Sequence, residues 1–269
     1  MTSRQGALTG LSFSLIGPGK VGSSLAHWAT AHGARLSAVA GRSLTSAREL
    51  TDELGGQPTT STALSSADDD LLLISVGDPE LANVVDLLSA KEQASIVLHT
   101  SGRNPATILA PLQSLNSAIG TIHPLKAFPQ ILRDPGVAAG VVFGLDGDDP
   151  ARELCHRLVA TWSGIPVEIP SEARSLYHLA ATMAAGGVVT LLASATELAK
   201  TIGLPPQMAQ GLLKLAEDAI DQAKSAQSPV AAITGPVARG DLSGFEHQLT
   251  QLRQIDPELA RLLELLAQR

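Results

Sequence analysis

The chain has 269 residues, 44% of them hydrophobic, enough to enclose one large core or two modest ones. Its 26 acidic residues against 19 Lys and Arg give a formal charge of −7, and no basic run interleaves with aromatics, so no nucleic-acid partner is expected. A single Cys155 excludes an internal disulfide, and neither a secretory h-region nor eighteen apolar residues in a row occurs, so a cytoplasmic chain off the membrane is expected.

In chain order, short β-type runs alternate with windows of helical period. LSFSLIG at 11–17 is followed by RLSAVAG at 35–41, DLLLISVG at 70–77, ASIVLHTSG at 94–102, SAIGTIHP at 117–124 and AGVVFGLDG at 139–147. The segments between them are long enough for crossover helices. LLLISV and SIVLH are nearly continuous in apolar residues, as in strands covered on both faces. The pattern predicts an α/β fold, a doubly wound, mostly parallel sheet over residues 1–169 with helices on both sides. IPVEIPSE at 165–172 ends the alternation, and a domain boundary is expected around residue 170. An all-α domain over 170–269 should follow. Its first window, 171–204, is interrupted only by Gly186 and Gly187 and is too apolar for a surface helix. Burial on more than one side, with a homodimer built through the C-terminal helices, is the expected outcome.

Gly17-Pro18-Gly19-Lys20-Val21-Gly22 matches G-x-G-x-x-G, follows the first predicted strand and opens a predicted helix. The first glycine permits the tight turn, the second clears room for a pyrophosphate, and the third lets helix and strand approach closely. Helix N-terminal amides would face the anion. A glycine-rich turn without a ligand is the plainer alternative. A Walker-type phosphate loop is excluded, because Ser14 occupies its first glycine position and Val21 follows Lys20.

An NAD site would place a carboxylate after the second strand, to accept from the ribose 2′-hydroxyl. The chain has Arg42 and Ser43 there, suited to a 2′-phosphate, so NADP(H) is the expected cofactor. Ser43 could equally cap the following helix. In a doubly wound sheet ligands lie beyond the carboxyl ends of the strands, which places Val76-Gly77-Asp78, His99-Thr100-Ser101-Gly102 and His123-Pro124 at the cofactor crevice, with Val76, Gly77 and Asp78 expected to bind the cofactor. Asp78-Pro79-Glu80 also reads as a helix N-terminus.

The chain resembles a family of uncharacterised Rossmann-like proteins with a helical C-terminal domain of unknown function (DUF2520-like). That family lies within the superfamily of 6-phosphogluconate dehydrogenase, pyrroline-5-carboxylate reductase and ketopantoate reductase. The resemblance rests on the GPGKVG loop, LHTSG at 98–102, HPLKAF at 123–128, YHLAATMAA at 177–185 and TGPVARGD at 234–241. It implies an NADP oxidoreductase of unassigned substrate with a dimer-forming helical region. Gly186 departs from the family pattern, which tends to place Asn there.

Hydride transfer to a carbonyl or imine needs a proton donor beside the developing charge, and histidine suits that role near neutral pH. Of seven histidines, His27, His32, His156 and His247 lie on helices or in the acidic C-terminal segment and are set aside. His99 and His123 end predicted strands, and His178 opens the long helix. His123, followed by Pro124 and close to Lys126, is the leading candidate, and prephenate dehydrogenases look similar in having a His-Pro pair at the substrate. Thr100 and Ser101 could orient a carbonyl or carboxylate, or could merely form a turn before Asn104-Pro105. Tyr177 and His178 could serve the site or hold packing together, and Arg239 could reach a phosphate or pair with Asp241. Cys155 reads as a packing residue.

Three functions fit these residues: an NADP-dependent oxidoreductase of a small carbonyl, imine or hydroxy acid, a non-catalytic dinucleotide sensor, and a deazaflavin (F420) dependent reductase. A serine hydrolase and a zinc enzyme lack their motifs.

Overall fold

The computed structural model describes residues 6–60, 64–113, 117–235, 240 and 242–267. TGPVARGD falls largely outside these, and so does Arg239. The chain forms two compact units, Met1–Thr182 and Met183–Arg269, where the sequence reading put the boundary around residue 170. The start of the long helix belongs with the first unit because buried Arg174 donates through Nη2 to the Ser101 carbonyl and to Thr121 Oγ1.

In the first unit, β1 (Ser12–Ile16), β2 (Arg35–Gly41), β3 (Gln57–Thr60), β4 (Leu71–Ile74), β5 (Ile96–His99), β6 (Ala118–Pro124), β7 (Val142–Gly147) and β8 (Ile165–Glu168) form one sheet. Its order is β3-β2-β1-β4-β5-β6-β7-β8. All neighbours run parallel except β6 and β7. The crossovers are α1 (Lys20–Ala31), α2 (Leu44–Leu54), α3 (Asp78–Leu88), a short turn of helix containing α4 (Ala110–Gln113), and α5 (Asp149–Thr161). Between β6 and β7 only a 3-10 turn at Pro135–Ala138 intervenes, so no crossover helix returns the chain to the same end, and β7 runs antiparallel. IPVE, where the alternation was read as stopping, forms the exposed edge strand β8.

Strand side chains alternate between two cores, as the pleat requires. Phe13, Leu15, Leu71, Leu73 and Leu98 pack with α1, α2 and α5 around fully buried Trp28. Ile16, Leu72, Ile74 and Val97 face the other way, onto Leu81, Val85 and Leu88 of α3. The strand serines are satisfied: Ser14 and Ser37 donate to Asp69 at 2.6 and 2.5 Å. Cys155 is buried, and burial pushes its thiol pKa up, so it is a packing residue rather than a nucleophile.

The long helical stretch consists of α6 (Arg174–Thr182), a π-helical turn at Met183–Gly187 and α7 (Val188–Thr201), and α8 (Gln207–Ser225), α9 (Leu242–Ile255) and α10 (Pro257–Ala267) follow. The second unit's core is small: Leu249, Leu252 and Ala260 are buried, with Leu198, Phe245, Leu259 and Leu263 packed against them. The expectation that the apolar helix is buried on more than one side is not met within a single chain. Only Arg174 of α6 and Ala199 of α7 are buried, and Val189 is 66% exposed. The 31 residues Ser171–Thr201 are, by length and composition, long and apolar enough to cross a membrane.

Candidate cofactor and substrate site

The glycine loop joins β1 to α1, and its glycines do different work. Gly17 has φ +90°, a left-handed conformation, and a Cβ on it would overlap the Ser75 carbonyl oxygen at the end of β4. A Cβ on Gly22 would overlap the Gly17 carbonyl oxygen and lie 2.9 Å from Ser75 Cβ. A Cβ on Gly19 would meet nothing within 4 Å. Turn and close packing thus account for the first and third glycines, and the second borders open space. Gly19 caps α1 without a side-chain hydrogen bond, and the first turn holds no acidic residue, so its amides remain available to an anion.

That open space is a crevice of about 630 Å³, lined among others by Gly17, Pro18, Gly19, Arg42, Ser43 and Gly77. Ser43 is also the N-cap of α2, its hydroxyl accepting from the Ser46 amide at 3.4 Å. Glu80 lines the same crevice. Asp78 opens α3 after the Gly77 cap and pairs with Arg103 at 3.5 Å.

Gly19, Ser75, Val76 and Gly77 also line a second, adjoining space of about 410 Å³. Lys20, Val21, Thr100, Ser101, Gly102, His123, Lys126 and His178 line it. The ends of β4, β5 and β6, which a doubly wound sheet is expected to bring to one crevice, do meet at one place. Thr100 Oγ1 donates to Ser75 Oγ at 3.0 Å, and Ser101 Oγ accepts from the Asn104 amide, holding the turn. His99 does not join them. It is fully buried, its Nδ1 accepting from the Ser101 amide and its Nε2 lying 3.2 Å from the Pro105 carbonyl.

His123 Nδ1 lies 2.8 Å from the Tyr177 hydroxyl, and its ring meets His178 edge-on at 5.8 Å between centroids. Burial pulls the His123 pKa down to about 4, with the positive charge of Arg174 and the neighbouring imidazole of His178 acting in the same direction. Tyr177 is pushed up by burial, against the opposing charge of Arg174. Arg174, to which the sequence reading gave no role, is fully buried, with its Cζ 6.0 Å from the Tyr177 ring centroid. The spacing of Arg174 and Tyr177, three apart on one helix face, was the available signal. Among the described residues no cluster of His, Cys, Asp and Glu could hold a metal ion.

Comparison with known proteins agrees with this architecture. Residues 3–124 match the model of a Rossmann-like domain, and residues 141–269 match a domain of unknown function (DUF2520). No curated protein matches the chain. A Bacteroides fragilis protein provisionally described as an NADP oxidoreductase is 23% identical, with a TM-score of 0.78 over 97% of this chain and 98% of its own. A pyrroline-5-carboxylate reductase from Coxiella burnetii is 16% identical, with a TM-score of 0.61 over 95% and 97%. An imine reductase from Streptomyces aurantiacus is also 16% identical, with a TM-score of 0.63 over 94% and 91%. At such identities the likeness is one of fold. The chain is a Rossmann-like domain followed by a DUF2520 domain.

Proposed function

We propose that this chain is an NADP(H)-dependent oxidoreductase acting on a small carbonyl, imine or hydroxy acid. The observation that carries the reading is the pair of adjoining spaces, one lined by Arg42 and Ser43 and the other by His123, which share the unobstructed Gly19 and the Ser75-Val76-Gly77 segment as walls. The residues fit a dinucleotide: the α1 amides would take the pyrophosphate, Arg42 and Ser43 a 2′-phosphate, and Val76 and Gly77 would border the nicotinamide end. A bound nicotinamide would supply or accept the hydride. His123 and Thr100 would orient the substrate, with Ser101 holding their loop and His178 closing one side. The names of the similar structures, an NADP oxidoreductase, a pyrroline-5-carboxylate reductase and an imine reductase, support the same class.

The test is calorimetry with NADPH, NADH and F420, followed by a cofactor-oxidation screen over keto acids and cyclic imines. Tight NADPH binding with turnover is expected. Binding without turnover of any compound would favour a dinucleotide sensor, and preference for F420 would overturn the cofactor reading.

We also propose that a second copy covers the helical unit, because the four residues buried among those described, Ala199, Leu249, Leu252 and Ala260, are too small a core for its helices and Leu213, Leu215 and Ile220 of α8 are exposed. A monomer at micromolar concentration by light scattering would refute this.

A further inference from the structure

The hydrogen bond between Tyr177 and His123 can be drawn with either partner as donor, and the choice decides what His123 offers at the crevice. A phenol is a stronger acid than an uncharged imidazole, so the hydroxyl is the better donor of the two. The Arg174 guanidinium over the Tyr177 ring strengthens that preference, since a nearby positive charge makes the phenol more acidic and disfavours a second proton on the imidazole. Arg174 is itself held in place by Ser101 and Thr121, with Nε and Nη1 unpartnered and buried. The charge therefore stays close to the pair. The other ring nitrogen, Nε2, lies against Gly102, a residue of the crevice wall.

We propose that Tyr177 is a positioning residue that holds His123 as the uncharged Nε2–H tautomer, so that the crevice is offered a hydrogen-bond donor and not a base. No bond is made or broken in this role. Its bearing on chemistry rests on the reductase reading given above: a fixed donor holds the carbonyl oxygen or imine nitrogen that awaits hydride, and by reversibility it holds the same atom when the reaction runs the other way.

Tyr177 is the chain's one tyrosine, which makes the test specific. The full chain, labelled with ¹⁵N-histidine and free of cofactor, is examined near neutral pH by long-range ¹H–¹⁵N correlation, with the His123 signals assigned by their loss in His123→Gln. The expected result is a protonated Nε2 and an unprotonated, hydrogen-bonded Nδ1, changing to a mixture of tautomers in Tyr177→Phe. An Nδ1–H tautomer in the unmodified protein, or an unchanged spectrum in a folded Tyr177→Phe, overturns the proposal. Should that variant not fold, biosynthetic 3-fluorotyrosine modifies Tyr177 alone, and its more acidic hydroxyl should move the His123 Nδ1 resonance. An unmoved resonance overturns the proposal as well. Because neither cofactor nor substrate is present, these outcomes are independent of whether the reductase reading holds.

Discussion

Gly102 lies beneath the His123 imidazole so closely that a Cβ on it would come within 2.7 Å of Nε2, and within 2.5 Å of His178 Cδ2. The backbone turn after β5 thus sets the height of both rings. Gly102→Ala should push the imidazoles aside and weaken the His123–Tyr177 hydrogen bond. Because the obstructing atoms belong to side chains able to tilt, the cost should fall near the lower end of the usual 1–3 kcal/mol for overpacking, roughly 1 kcal/mol. Thermal denaturation reads the stability, and histidine ring resonances read the displacement. Unmoved resonances would contradict the arrangement.

Alanine at two glycines of the first loop should give opposite results. Gly22→Ala forces helix and strand apart and should destabilise the fold by about 1–3 kcal/mol. Gly19→Ala meets open space. It should leave stability within about 0.5 kcal/mol while weakening NADPH binding at least about tenfold. Urea denaturation and calorimetry on both variants separate the two effects, and undiminished NADPH binding by Gly19→Ala would remove the pyrophosphate from that position.

Arg42 is exposed and lines the crevice. If one charge-assisted contact discriminates the cofactors, NADPH should bind more tightly than NADH by about 1.5–3 kcal/mol. Arg42→Ala should abolish the difference and leave NADH affinity unchanged. Equal affinities in the unmodified chain would show that no 2′-phosphate is read there.

Buried His99 and half-buried His123 give stability a defined pH dependence. His99 and His123 titrate near 4 in the fold, against about 6.5 in an unfolded chain. Between those values the unfolded state binds more protons. Their contribution is therefore complete above about pH 6.5 and is lost as pH falls towards 4, by at most about 1.4 kcal/mol per pH unit for each histidine. Urea midpoints across this window should fall with pH, and His123→Gln should reduce the slope by one histidine's share. A flat profile would mean that neither ring is held uncharged.

The glycine loop was legible because its spacing is a local backbone requirement, and the meeting of the strand ends follows from parallel topology alone. The antiparallel β7 was not, because strand direction depends on what connects the strands, and the β6–β7 connection has no apolar periodicity to read. Edge strand β8 escaped notice because its four residues are all exposed. Arg174 was missed for a different reason. An arginine at the start of a helix reads as a solvated end, and the groups that bury it, Thr121 and Ser101, lie 53 and 73 residues earlier in the chain. Ser101 was read as a ligand-orienting hydroxyl or a turn, and the observed bond to the Asn104 amide supplies the turn.

Trp28 and Trp162 stack edge to face at 5.8 Å within the first unit, and with Tyr177 they are all the indole and phenol rings the chain possesses. Intrinsic fluorescence is consequently a private signal of Met1–Thr182, and Met183–Arg269 is optically silent in it. Far-ultraviolet circular dichroism sees the helices of both. A loss of ellipticity that leaves the emission spectrum untouched would be the second unit melting alone, so two ordinary instruments can tell independent unfolding from joint unfolding without any introduced label.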